Sequence, residues 1–207
     1  MNVNRLLMIC LLATAPLLTN AEIAPAERKA ALEEAKLLLL PRSRPMPLVA
    51  LTDFNGAHFD TARLQGKWTL LFFGFTFCPD VCPTALSDMR RLFAELPAET
   101  RDRSQLIFVT ADPQRDTPER LKTYLNYFDP TFIGLTGPMP ELQSLSKATG
   151  LPFVPPDTRQ EGYSVTHSGN MALIGPDGEL HGLIRAPFEL EALGRWLTRL
   201  VESDSAQ

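Results

Sequence analysis

The 207-residue chain contains three cysteines, three histidines and two tryptophans. So few cysteines exclude a fold stapled by a disulfide framework, and a chain of this length buries enough core to fold without one. Positive charge is also short. Twenty Lys and Arg against 24 Asp and Glu leave a net charge of −4, which disfavours a nucleic-acid binder because such proteins need a strong positive field. Long apolar runs are scarce too. The run from Leu6 to Leu18 is shorter than the ~20 residues that a membrane-crossing helix wants. There is no internal repeat, no Gly-rich phosphate loop and no low-complexity tract beyond the 18 prolines. A composition of 44% hydrophobic and 21% charged residues belongs to an ordinary globular domain with a modest surplus of chain.

The surplus sits at the ends. Arg5 precedes the apolar run, and Thr19-Asn20-Ala21 follows it. A positive start, an apolar stretch and a small-x-small site read as a secretory signal, with an uncleaved anchor as the alternative. Residues 1–21 are therefore read as signal peptide or membrane anchor. Cys10 lies inside the run and is read as an apolar filler. Residues 22–46 read as a helical segment over 24–40, ended by Pro41, Pro45 and Pro47, which make a linker. The domain proper is expected over 47–202, with a flexible tail at 203–207.

Within the domain, Asn55-Gly56 between Leu48–Thr52 and Ala57–Phe59 signals a hairpin. Trp68–Phe75 and Gln105–Ala111 are continuous apolar runs that suit strands buried on both faces. Helices are expected over Pro83–Leu96, from Thr117-Pro118-Glu119 to about Phe128, over Glu141–Thr149 closed by Gly150, and through Leu190, Leu193, Leu197 and Leu200. Ile133–Leu135 reads as a short strand. Gly175-Pro176-Asp177-Gly178 joins two further strands as a hairpin. This order predicts an α/β thioredoxin-like fold. It has a central mixed sheet with helices on both faces and an N-terminal β-hairpin extension.

With Cys10 in the leader, the mature chain keeps Cys78 and Cys82. They lie in Cys78-Pro79-Asp80-Val81-Cys82-Pro83, directly after the first buried strand. Pro83 suits the first position of a helix, which puts both sulfurs near its positive end and favours thiolate over thiol. Three residues between the cysteines, rather than two, can splay the sulfurs around a metal or close a disulfide. A permanent disulfide across so short a loop would stabilise the fold little. A metal needs a third ligand. His58 and His181 read as surface residues beside turns, whereas His167 precedes a strand in the loop that would face the cysteines. Two thiolates and an imidazole suit Cu(I) first and Cu(II) next, while zinc usually takes a fourth ligand. On residues alone, copper binding and plain thiol–disulfide chemistry stand level.

The stretch Phe73-Gly74-Phe75-Thr76-Phe77-Cys78-Pro79-Asp80-Val81-Cys82-Pro83-Thr84 resembles the signature of the SCO/SenC family. Thr110–Pro118 and Tyr127–Gly137 resemble that family's second and third blocks. His167-Ser168 falls where the family has its ligand histidine. The resemblance covers about residues 44 to 200. It departs at Thr166, where many members carry Asp, and at Phe77, where many carry a polar residue or His. Thr166 removes a carboxylate that would otherwise orient or charge-balance the site, leaving Asp80 and Asp112 as candidates to surround it.

The resemblance implies a copper metallochaperone of the cell envelope, with Cys78, Cys82 and His167 as ligands. Phe75, Phe77 and Val81 are expected to dry the rim. The client would be the dinuclear copper centre of cytochrome c oxidase or another envelope copper protein, with residues 6–18 cleaved or kept as a periplasm-facing inner-membrane anchor. The alternative is a thiol–disulfide reductase that uses Cys78 and Cys82 as its redox pair. A peroxidase on the same fold lacks the usual supporting Arg and Thr around Cys78.

Overall fold

The computed structural model describes residues 23–160 and 162–205. The apolar leader with Cys10 lies outside the described residues. Eight strands form one sheet: β1 (Leu37–Arg44), β2 (Ala50–Asp53), β3 (His58–Asp60), β4 (Trp68–Gly74), β5 (Ser104–Thr110), β6 (Ile133–Thr136), β7 (Met171–Ile174) and β8 (Leu180–Ile184). Their order across the sheet is β1-β8-β7-β4-β5-β6-β2-β3. The parallel triplet β4-β5-β6 forms the centre, with antiparallel pairs on both sides. The hairpin β2-β3 extends the sheet through β6, as the Asn-Gly turn predicts.

The helices are α1 (Pro25–Ala35), α2 (Val81–Glu95), α3 (Ala98–Asp102), α4 (Pro118–Phe128), α5 (Met139–Thr149) and α6 (Leu190–Ser205). The all-apolar β4 feeds both sides of the sheet, because successive side chains on a strand point to opposite faces. Leu70 and Phe72 join Leu86, Met89, Leu121, Leu193 and Trp196 on one face. Leu71 and Phe73 join Val109, Leu142, Leu145 and Ala172 on the other. Burying each such side chain contributes about 1.5–3 kcal/mol relative to leaving it exposed.

Several boundaries differ from the sequence reading. The helix expected over 24–40 stops at Ala35, and Lys36 closes it in the left-handed conformation (φ 52°). Leu37–Leu40 then run as a strand antiparallel to β8. Leu37 and Leu39 are buried while Leu38 and Leu40 are only partly so, an alternation with period two that a helix would not produce. Pro41 fits because β1 is an edge strand, and its register is irregular between Leu39 and Arg44. The second difference is α2. It starts at Val81 rather than Pro83, so Pro83 is the third helical residue. Its missing N–H costs nothing there, because first-turn N–H groups have no partner within the helix. At the far end, α6 runs on to Ser205 through residues read as tail.

Candidate metal centre

Cys78 leaves the end of β4 in a tight turn, its N–H donating to the carbonyl of Phe75 at 3.1 Å. Cys82 is the second residue of α2 and fully buried. Its own N–H points at the Cys78 sulfur, 3.4 Å away. Helix start and cysteine turn thus converge on the Cys78 sulfur. Gly74 makes room for the other. A Cβ at that position would lie 2.7 Å from the Cys82 sulfur and 2.7 Å from the Phe108 ring.

His167 arrives from the opposite loop. It forms an antiparallel bridge with Phe153, and its ring is held edge-on between Phe72 and Phe75, both with centroids at 5.8 Å. Its Nδ1 lies 3.0 Å from the carbonyl of Ser168. A carbonyl only accepts, so Nδ1 carries a proton and Nε2 is the ring's free ligand atom. Nε2 sits 3.5 Å from the Cys82 sulfur. The ligand atoms of Cys78, Cys82 and His167 all lie within 4.8 Å of one another. Two sulfurs and an imidazole nitrogen at that spacing form a soft donor set that fits copper.

The two thiols are electrostatically unequal. A hydrogen bond from Cys82, aided by His167 and by the Cys82 and Asp80 backbone, lowers the Cys78 thiol to about 4 despite partial burial. The same Cys78–Cys82 bond, together with burial, pushes the Cys82 thiol far up. The pair therefore holds one thiolate, on the more accessible sulfur, and one thiol.

Beside Cys78 and His167 is an open pocket of about 250 Å³, lined by Phe75, Cys78, Pro79, Asp80, Val81 and the 164–167 segment. Of the expected rim, Phe75 is buried, while Phe77 and Val81 stay 46% and 45% exposed. Asp80 lines the pocket, and its side chain makes no helix-capping bond. Asp112 is fully buried and accepts from the Tyr163 hydroxyl at 2.9 Å and from Arg115. Arg115 also stacks on Tyr163, and with Arg120 it flanks the Phe77 ring. His58 and His181 lie outside the cluster, beside Asp60 and Asp177 respectively.

Sequence reasoning singles out Asp112 but misses Asp116. This carboxylate is fully buried. It accepts from the Thr76 N–H, the Thr76 hydroxyl and the Thr110 hydroxyl. Burial pushes its carboxyl up, and those hydrogen bonds oppose the push. The available signal was the acidic residue immediately before the Thr117-Pro118 helix start, but nothing local shows that it faces inward.

Comparison with known proteins agrees with this geometry. A Stutzerimonas stutzeri protein named for copper binding is 54% identical over 199 residues, 96% of this chain and 95% of that one. The mitochondrial protein SCO2 of Saccharomyces cerevisiae is 40% identical over 147 residues, 70% of this chain. The chain spans only 46% of that longer relative. The crystal structure of yeast Sco1 with copper bound superposes with a TM-score of 0.71 at 30% identity, over 77% of this chain and 89% of that one. The SCO1/SenC family model matches residues 47–202. On these grounds, the chain belongs to the SCO1/SenC family.

Proposed function

We propose that the protein carries copper in the cell envelope and passes it to the dinuclear copper centre of cytochrome c oxidase. Cys78, Cys82 and His167 would be the ligands. The observation that supports this reading is the meeting of those three soft donors within 4.8 Å at the edge of an open pocket. The Cys78 thiolate is the natural first ligand, because it is ionised and partly exposed. Cys82 follows as its proton leaves, and His167 Nε2 completes the site. The metal departs by exchange onto a partner's thiolates, one sulfur at a time. Residues 6–18 would direct the chain to the envelope or hold it there. Among the described residues, no helix is long and apolar enough to cross a membrane.

A copper titration of the reduced protein tests the reading. Wild type should bind one copper per chain with high affinity, and Cys78→Ala, Cys82→Ala and His167→Ala should each lose it. Sulfur-to-copper charge-transfer bands and an affinity unchanged in His167→Ala would sink the three-ligand site. One observation favours the second reading, a thiol–disulfide reductase. A partly exposed thiolate beside a buried thiol is the division of labour that thiol–disulfide exchange uses. Turnover on a disulfide substrate, undiminished in His167→Ala, would select it.

A further inference from the structure

The two cysteines are fixed by different means. Cys82 is set by helix α2 and by burial. Cys78 sits at the end of a four-residue turn closed by a bond from its N–H to the Phe75 carbonyl. The second residue of that turn, Thr76, is held from outside. Its N–H donates to Asp116 Oδ2 at 3.0 Å, and its hydroxyl lies 2.6 Å from Oδ1. The direction of the hydroxyl bond follows from its other partner. Arg120 Nε donates to Thr76 Oγ1 at 2.7 Å, so the hydroxyl's own proton is directed at Asp116. Thr110 repeats the arrangement. It accepts from the Asp112 N–H at 2.9 Å and gives its proton to Asp116 Oδ2 at 2.7 Å. Three donors therefore converge on one buried carboxylate, 40 residues from the turn it holds.

We propose that Asp116 is a positioning residue for Cys78: acting through Thr76, it keeps the cysteine turn open at a sulfur spacing that suits a metal and opposes closure to a disulfide. The proposal rests on the copper reading for the first half of that statement only. Closing the disulfide requires the Cys78 sulfur to move to ~2.05 Å from its partner. Cys82 lies in the first turn of a helix and is fully buried, so the turn that carries Cys78 is the freer of the two to move, and its movement works against the Thr76–Asp116 bonds. Releasing Thr76 should weaken copper binding, which needs the open spacing, and ease disulfide formation, which needs the shift. Loss of the fold would instead impair both.

The test compares wild type, Thr76→Val, Thr76→Ser and Asp116→Asn by two readouts. The first is Cu(I) affinity by competition with a chelator, together with the Cu(II) charge-transfer bands. The second uses metal-free protein and follows its equilibrium with glutathione disulfide. There the two thiols give two electrons and two protons, so that one Cys78–Cys82 bond forms and two glutathione thiols are released. Thr76→Val, which keeps the shape but not the hydroxyl, should lower Cu(I) affinity about tenfold and raise the disulfide equilibrium constant about tenfold, the scale of one lost bond to a charged acceptor. Thr76→Ser keeps the hydroxyl and should match wild type. Asp116→Asn, which sets an amide N–H where donors converge, should move both readouts as Thr76→Val does. Both readouts falling together, or neither moving in Thr76→Val, would overturn the proposal. If wild type took up no copper, the copper reading would fail while the glutathione equilibrium still decided the tether.

Discussion

The Cys82 sulfur and the Nε2 of His167 stand 3.5 Å apart although 85 residues separate them in the chain. With Nδ1 committed to the Ser168 carbonyl, the nitrogen that faces the sulfur is fixed. Cu(II) bound here should therefore show superhyperfine coupling to a single nitrogen, read by electron paramagnetic resonance. His167→Ala should abolish that coupling and reduce affinity by at least the about 10–100-fold attached to losing outer-shell support of a ligand. Coupling to two nitrogens, or its survival in His167→Ala, would place the metal elsewhere.

The unequal thiols make the stability of the reduced, metal-free protein depend on pH with a change of sign. Cys78 is depressed from 9.0 to about 4 in the fold. Between those values the folded chain binds fewer protons than the unfolded one, so stability rises with pH. Its contribution is complete above the unfolded value and is lost as pH falls through about 4. Cys82 is shifted upward. Above its ordinary value of 9.0 the folded chain keeps a proton that the unfolded chain releases, so stability then falls as pH rises. The two thiols together should give a maximum near pH 9. Urea titrations from pH 5 to 10 would show it, with Cys78→Ser removing the rising limb. An identical profile in that variant would contradict the assignment of the thiolate to Cys78.

Gly74 should tolerate no side chain. It ends β4 directly beneath the cysteine turn, and an added methyl would meet both the Cys82 sulfur and the Phe108 ring at 2.7 Å. The Phe108 ring is fully buried, so neither neighbour can retreat freely. Gly74→Ala should cost about 1–3 kcal/mol, the usual penalty of overpacking. It should also displace the Cys82 sulfur and shift the copper charge-transfer bands. Unchanged denaturation midpoint and bands in this variant would show that the sulfur has more room than the geometry allows.

Much of this could be read along the chain. The runs Trp68–Phe75 and Gln105–Ala111 announce buried central strands, and the structure places them side by side in parallel. Thr117-Pro118 announces α4, and the Thr117 hydroxyl does accept from the Arg120 N–H. Local pattern failed where a tertiary partner decides the outcome. Leu37–Leu40 carry helix-compatible residues, yet the free edge of β8 draws them into a strand. Cys78 and Cys82 declare themselves by spacing, and His167 by its place before β7. Asp116 does not, because its role depends on Thr76 and Thr110 arriving from two other strand ends. A carboxylate pattern in sequence carries no sign of which oxygen is buried.

The shared proton of the cysteine pair also sets the stoichiometry of copper uptake. In the metal-free protein at pH 8, Cys78 is already a thiolate and Cys82 still a thiol. Cu(I) binding to both sulfurs must then expel one proton, from Cys82, as the metal replaces it. Two independent thiols of ordinary pKa, by contrast, would together release about 1.5 or more. Calorimetric titration in two buffers of different ionisation enthalpy, with a proton-silent Cu(I) chelator as donor, separates the cases. Release near one proton per copper is expected for wild type and near zero for Cys82→Ser. A value of about 1.5 or more in wild type would mean that the two thiols do not share a proton, and that Cys78 is not held ionised by its neighbour.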